Sequence, residues 1–123
     1  MATLYPHPVM RHCRAPQNYG RLKHPGQTFR GRNYFCGDAL EISVKFDRRQ
    51  KITAIAWQGS GCALTQAAAS IFSEMIKGKT LDQVRRMKSE TLIKQLKIEL
   101  SPVRRKCALL PLYTMKQEDP AAD

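Results

Sequence analysis

From Ala39 to Phe46 the chain alternates strictly: Leu40, Ile42, Val44 and Phe46 are apolar, while Glu41, Ser43 and Lys45 are polar. An extended segment with that pattern buries one face and wets the other. Asp47–Gln50 (DRRQ) supplies a turn, and the alternation resumes over Lys51–Trp57, which predicts an antiparallel hairpin. The glycine-rich Gly59–Cys62 (GSGC) ends the second strand and opens a helix of small and apolar residues, Ala63–Gly78, with Gly78 placed to stop it. Two shorter helices follow, one capped by Thr80 (TLDQVRRM) and one capped by Ser89 (SETLIKQL). A last helical segment covers Leu100–Lys116. Pro111 interrupts it by removing a backbone donor and crowding the carbonyl of Cys107, so a kink or a helix starting near Leu110 is expected.

The N-terminal third is less regular. Leu4–Cys13 predicts a short helix stopped by Pro16, and Ala15–Gly26 (APQNYGRLKHPG) is rich in turn residues with no apolar period. The tail from Gln117 is expected to be disordered. Nothing resembles a repeat or a linker, so residues 1–123 are expected to form one domain. Strands precede helices, which predicts an α+β fold: a small antiparallel sheet of about three strands with helices packed on one face.

Composition narrows the class. With 123 residues, 42% of them hydrophobic, the chain can bury one core without disulfide staples. No apolar run approaches the ~20 residues of a membrane span, and the first residues lack the apolar core of a secretory signal. Neither a membrane role nor export is therefore expected. The four cysteines, Cys13, Cys36, Cys62 and Cys107, are dispersed, which suits free thiols in a reducing cytoplasm better than a disulfide framework.

The charge adds a partner question. Twenty-one basic residues against 10 acidic ones give +11, which would attract nucleic acid, an anionic membrane or an acidic protein. A nucleic-acid module with a structural zinc has only this charge behind it. Trp57 and Phe46 lack the basic–aromatic interleaving of single-strand binders and read as core or strand-face residues. Arg85, Arg86, Lys88, Lys94 and Lys97 read as a solvated helical face open to an acidic partner. Cys13 reads as a packing residue, and His7, His12 and His24 as solvated.

The remaining cysteines carry the candidate chemistry. Cys36 and Asp38 are two apart at the mouth of a strand, so they share a face, and Gly37 between them lets the backbone bend. Cys62 opens a helix, where unpaired N–H groups favour an anionic sulfur. Cys107 follows Arg104, Arg105 and Lys106. From the residues alone these are either three core thiols or, if the element ends gather, a Cys₃Asp metal site.

Five stretches in order tip that balance: APQNYG (Ala15–Gly20), CGD (Cys36–Asp38), GSGCALTQAAAS (Gly59–Ser70), IKGKTLDQV (Ile76–Val84) and SPVRRKCALL (Ser101–Leu110). Together they resemble the iron–sulfur cluster assembly scaffolds of the IscU, SufU and NifU N-terminal-domain family. The resemblance implies a non-enzymatic scaffold that accepts sulfur and iron, builds a [2Fe–2S] cluster and passes it to apo-proteins. It implies Cys36, Asp38, Cys62 and Cys107 as ligands, Asp38 as the one that keeps the cluster labile, and Cys107 as the thiol that receives persulfide sulfur. The implied partners are a cysteine desulfurase and apo-protein acceptors. An alternative within the resemblance is a Zn²⁺-bound persulfide acceptor with the same four residues. Lys106 stands where the IscU branch has histidine, as in the SufU-like branch, and would offset the anionic site. The extra stretch that SufU-like members carry between the second and third cysteines is missing. The chaperone-recognition stretch L-P-P-V-K of the IscU branch reads LSPVR here (Leu100–Arg104), which weakens the expectation of an Hsp70-type partner.

Overall fold

The computed structural model describes residues 7–33 and 37–117. Its order is α1 (His7–Arg14), β1 (Gln27–Asn33), β2 (Asp38–Phe46), β3 (Ile52–Ser60), α2 (Ala63–Met75), α3 (Leu81–Arg85), α4 (Ser89–Leu96) and α5 (Pro102–Lys116). The three strands pair antiparallel in the order β1-β2-β3. The α+β expectation therefore holds.

The alternation of β2 sets the layers. Phe29, Ile42 and Trp57 sit side by side across the sheet and are all buried on the helix-covered face. The neighbouring row, Arg30, Glu41 and Gln58, lies on the opposite face, where Arg30 Nε donates to Glu41 Oε2 at 2.9 Å. Helix α5 packs on β1 and β2, α2 packs on β3 and on α5, and α1 and α4 pack outside them. The turn-rich stretch after α1 lies along the edge of β3: Trp57 N–H donates to Asn18 O, and Gly20 N–H to Trp57 O. Trp57 Nε1–H donates to Gln17 O at 2.8 Å, so the indole is a core residue with its polar edge satisfied.

Several local expectations are corrected. Strand β3 runs through Gly59 to Ser60 instead of ending at the glycine, because those positions pair with Leu40 and Ala39. Lys88, not Ser89, occupies the N-cap of α4, and Ser89 Oγ instead reaches Tyr113 OH. Thr80 does cap α3: its side chain accepts from Gln83 N–H, while the Gln83 side chain accepts from Thr80 N–H. Helix α5 does not begin near Leu110; it starts at Pro102 and continues through Pro111. A proline inside a helix costs ~3 kcal/mol. Leu109, Leu110, Leu112 and Met115 on the same helix are buried, each worth ~1.5–3 kcal/mol, so packing outweighs that cost.

His12 is the clearest burial error. It is 6% exposed, its Nδ1 lies 2.6 Å from Ser70 Oγ, and its Nε2 is 3.5 Å from Glu74 Oε1. Ser70 Oγ also accepts from Gln17 N–H at 2.7 Å, so one serine ties α1 and the following loop to α2. Burial, ahead of the opposing pull of Glu74, holds the imidazole below its ordinary pKa, and Arg11 adds to the lowering. His24 is exposed as expected; the side chain of His7 and the tail beyond Gln117 lie outside the described residues.

Candidate metal centre

Three element ends meet on one side of the sheet. Asp38 begins β2 opposite Asn33, the last residue of β1. Gly37 makes the approach with φ +77°, a left-handed conformation that strains any other L-residue, and its N–H donates to Asn33 O. Cys62 sits in extended conformation at the N-cap of α2, and Cys107 lies in the second turn of α5. The carboxylate of Asp38 and the sulfurs of Cys62 and Cys107 lie within 4.8 Å of one another. Cys36, the first expected ligand, lies outside the described residues.

The three groups differ in access. Cys62 is exposed, whereas Asp38 and Cys107 are buried. A buried carboxylate needs partners, and Thr65 provides one: its hydroxyl donates to Asp38 Oδ2 at 2.5 Å. Cys62 Sγ stands 3.8 Å from the same oxygen and 3.4 Å from Thr65 Oγ1. Asn33 Nδ2 points at Cys107 Sγ from 4.0 Å. Gly61 leaves room for the carboxylate, because a Cβ there would stand 2.9 Å from Asp38 Cγ.

Sequence reasoning missed Thr65, Asn33 and the role of Gly61. The signal for Thr65 was its spacing of three from Cys62, which puts both on one face of the first helical turn. Asn33 ends a strand that the alternation did not reveal. Lys106 is half-buried beside Cys107 on α5. Cys13 behaves as the packing residue expected: half-buried, with Sγ 3.4 Å from Ala63 O. Burial, with Cys62 nearby, raises its thiol pKa.

The donor set suits more than one cargo. A tetrahedral ion bound at ~2.0–2.3 Å needs its donors ~3.3–3.8 Å apart, so the widest pair here would close by ~1 Å around a single ion. Thiolates with a carboxylate accept either zinc or an iron–sulfur unit. In the stretch LSPVR, Ser101 caps α5 by accepting from Arg104 N–H, Pro102 takes the first helical position, and Val103 is exposed. No helix among the described residues is long and apolar enough to cross a membrane.

Comparisons with known proteins bear on this centre. A family model described as NifU-like N terminal domain matches residues 4–118. The iron-sulfur cluster assembly enzyme IscU of Drosophila melanogaster is 31% identical over 111 residues, which cover 87% of this chain and 70% of that protein. Iron-sulfur cluster assembly protein 2 of Arabidopsis thaliana is 37% identical over 75 residues, covering 61% of this chain and 45% of that protein. The crystal structure of FiSufU from Fervidobacterium islandicum AW-1, provisionally named an iron-sulfur cluster assembly scaffold for the SUF system, superposes with a TM-score of 0.75. It is 25% identical, with 93% of this chain and 95% of that chain covered.

Proposed function

The chain belongs to the NifU-like N terminal domain family, and on that premise we propose that it is a scaffold for iron–sulfur cluster assembly. It takes sulfur from a cysteine desulfurase, combines it with iron into a [2Fe–2S] cluster, and passes the cluster to apo-proteins. The ligands in this reading are Cys36, Asp38, Cys62 and Cys107. The observation that carries it is the grouping of Asp38 with Cys62 and Cys107 inside 4.8 Å, drawn from three separate elements.

The geometry supports particular roles. A carboxylate is a poorer iron ligand than thiolate, so a Cys₃Asp set holds its cargo less firmly than Cys₄. Thr65 keeps Asp38 aimed at the sulfurs before loading. Once Asp38 leaves iron, its carboxylate can take the proton of an incoming acceptor thiol. Sulfur arrives as a persulfide: the receiving thiolate attacks the outer sulfur, and the desulfurase cysteine departs as thiolate. An external reductant, a dithiol or an electron-donor protein, then supplies two electrons per sulfur, which leaves the persulfide as sulfide and restores the receiving thiolate. Cys107 is the proposed receiver, yet it is buried, so delivery requires its cover to open, while Cys62 already faces solvent. Lys106 lies next in sequence to Cys107 and offsets negative charge at the loaded site. The chain acts as scaffold and sulfur acceptor, without catalytic turnover of its own. Zn²⁺ fits the same donors and would compete for them.

Anaerobic reconstitution with ferrous iron, cysteine, a desulfurase and a dithiol reductant tests the reading. The expected product shows sulfide-to-iron absorption in the visible range, with equal iron and acid-labile sulfide, and Cys62→Ser and Cys107→Ser each abolish it. Colourless protein from the unaltered chain, or a cluster indifferent to both substitutions, would refute it.

A further inference from the structure

Away from Cys62, the C-terminal half of α2 borders a trough made of two adjacent hollows. One, about 510 Å³, lies between Met75 of α2, Met87 after α3, and Thr91 and Gln95 of α4. The other, about 360 Å³, lies between Arg11 and His12 of α1, Glu74 of α2, and Lys97. Met75 and Gln95 line both, so the two parts share a wall and a floor.

The trough is apolar below and cationic above. Ile71 and Met87 are buried and Met75 half-buried, giving a floor whose thioethers adapt to incoming side chains. Lys79, Arg86 and Lys88 rim the first part, and Arg11 and Lys97 the second. Among the described residues, the acid lining it is Glu74, whose charge stays in place because His12 beside it resists protonation, while Asp82 pairs with Arg86 at 3.2 Å. Against that one carboxylate, Lys79, Lys88, Arg11 and Lys97 set a net positive rim.

We propose that this trough docks an acidic, amphipathic segment of a partner protein. Apolar anchors of the segment would settle over Met75 and Met87 while its carboxylates meet the lysines and arginines. A nucleic acid fits less well: among the described residues no Phe, Tyr or Trp lines the trough, and the imidazole of His12 is buried, which leaves a base nothing to stack on. Ile71–Met75 lie nine to thirteen positions beyond Cys62, about 13–20 Å along the helix, so a docked segment leaves the cysteine end open. The docking stands whether or not a cluster is built at that other end.

Fluorescence anisotropy on the full chain tests it. The probe is a labelled helix-forming peptide of about 16 residues, long enough to span the trough, with leucines at i, i+4 spacing and glutamates elsewhere. Saturable binding is expected, weakened about tenfold or more by Lys79→Glu with Lys88→Glu, and likewise by Arg11→Glu with Lys97→Glu. Lys23→Glu with Arg32→Glu makes the same charge change away from the trough and should leave affinity unchanged. Circular dichroism confirms that each variant is folded, and the two trough pairs check one another if either misfolds. Absence of saturable binding overturns the proposal, as does equal weakening by the control pair. So does polyglutamate of matched length binding as tightly as the peptide, since that would remove the apolar floor from recognition. A random DNA duplex binding more tightly would assign the trough to nucleic acid instead.

Discussion

The two ends of α2 follow different rules. At its N-terminus the helix forgoes a side-chain cap: Cys62 holds the N-cap with no such bond, and Thr65 in the first turn gives its hydroxyl to Asp38. Small residues crowd there, and a carboxylate and a thiol are buried together. The far end is conventional. Ile76 is buried, its N–H bonds Phe72 O, and the next helix opens with a reciprocal Thr80–Gln83 cap. Positions that stabilise the helix at one end hold, at the other, the residues proposed as ligands. The difference predicts that substitutions of buried far-end residues change stability and leave cluster handling alone, and those at the cysteine end change cluster handling more than stability.

The largest effect should come from Ile76→Ala, which truncates a fully buried side chain and should cost ~2–5 kcal/mol in denaturant unfolding. Iron bound per folded molecule should not change; if it falls in proportion, the two ends are not independent. At the cysteine end, Gly61→Ala forces a Cβ against the Asp38 carboxylate and should cost ~1–3 kcal/mol. Its cluster should also be transferred more slowly, because the displaced Asp38 can no longer serve as the weakly held ligand. Thr65→Val leaves that carboxylate short of a donor, at ~1–3 kcal/mol, and should alter the rate of cluster loss as well. A Thr65→Val protein that is destabilised but holds and releases its cluster normally would make Thr65 a structural clip only.

Legibility followed the strength of the local pattern. The hairpin and α2 were readable because β2 alternates cleanly and α2 is a long run of small and apolar residues. Strand β1, QTFRGRN, was not, since an edge strand that buries only Phe29 and Asn33 carries too little apolar signal. Pro111 misled because its local penalty is visible in sequence while the burial that outweighs it is tertiary. His12 misled for a related reason: its partners, Ser70 and Glu74, are about sixty residues away along the chain. The motifs singled out Asp38, Cys62 and Cys107, and the fold brings those three together. Thr65 and Asn33, which touch them, carry no motif that separates them from ordinary helix and strand residues.

Smaller effects refine the contrast. Thr80→Ala removes the cap of α3 and should cost ~0.5–2 kcal/mol with no change in cluster handling. For His12 the folded protein resists protonation, so the unfolded chain binds more protons as pH falls below the ordinary histidine value of 6.5. Stability should therefore drop as pH falls through that region, until the folded protein also protonates. His12→Gln should flatten that part of the profile in urea unfolding; an unchanged slope would place the acid sensitivity elsewhere.

Timed transfer of a reconstituted cluster to an apo-ferredoxin tests the central claim most directly: that Asp38 is the member of the set that lets the cargo go. Wild type and Asp38→Ala are loaded anaerobically, mixed with the acceptor, and followed by the acceptor's visible circular dichroism. The account predicts that Asp38→Ala retains its cluster and transfers it more slowly, because the weakly held ligand and its proton-accepting oxygen are gone. Equal transfer rates for the two proteins would contradict it.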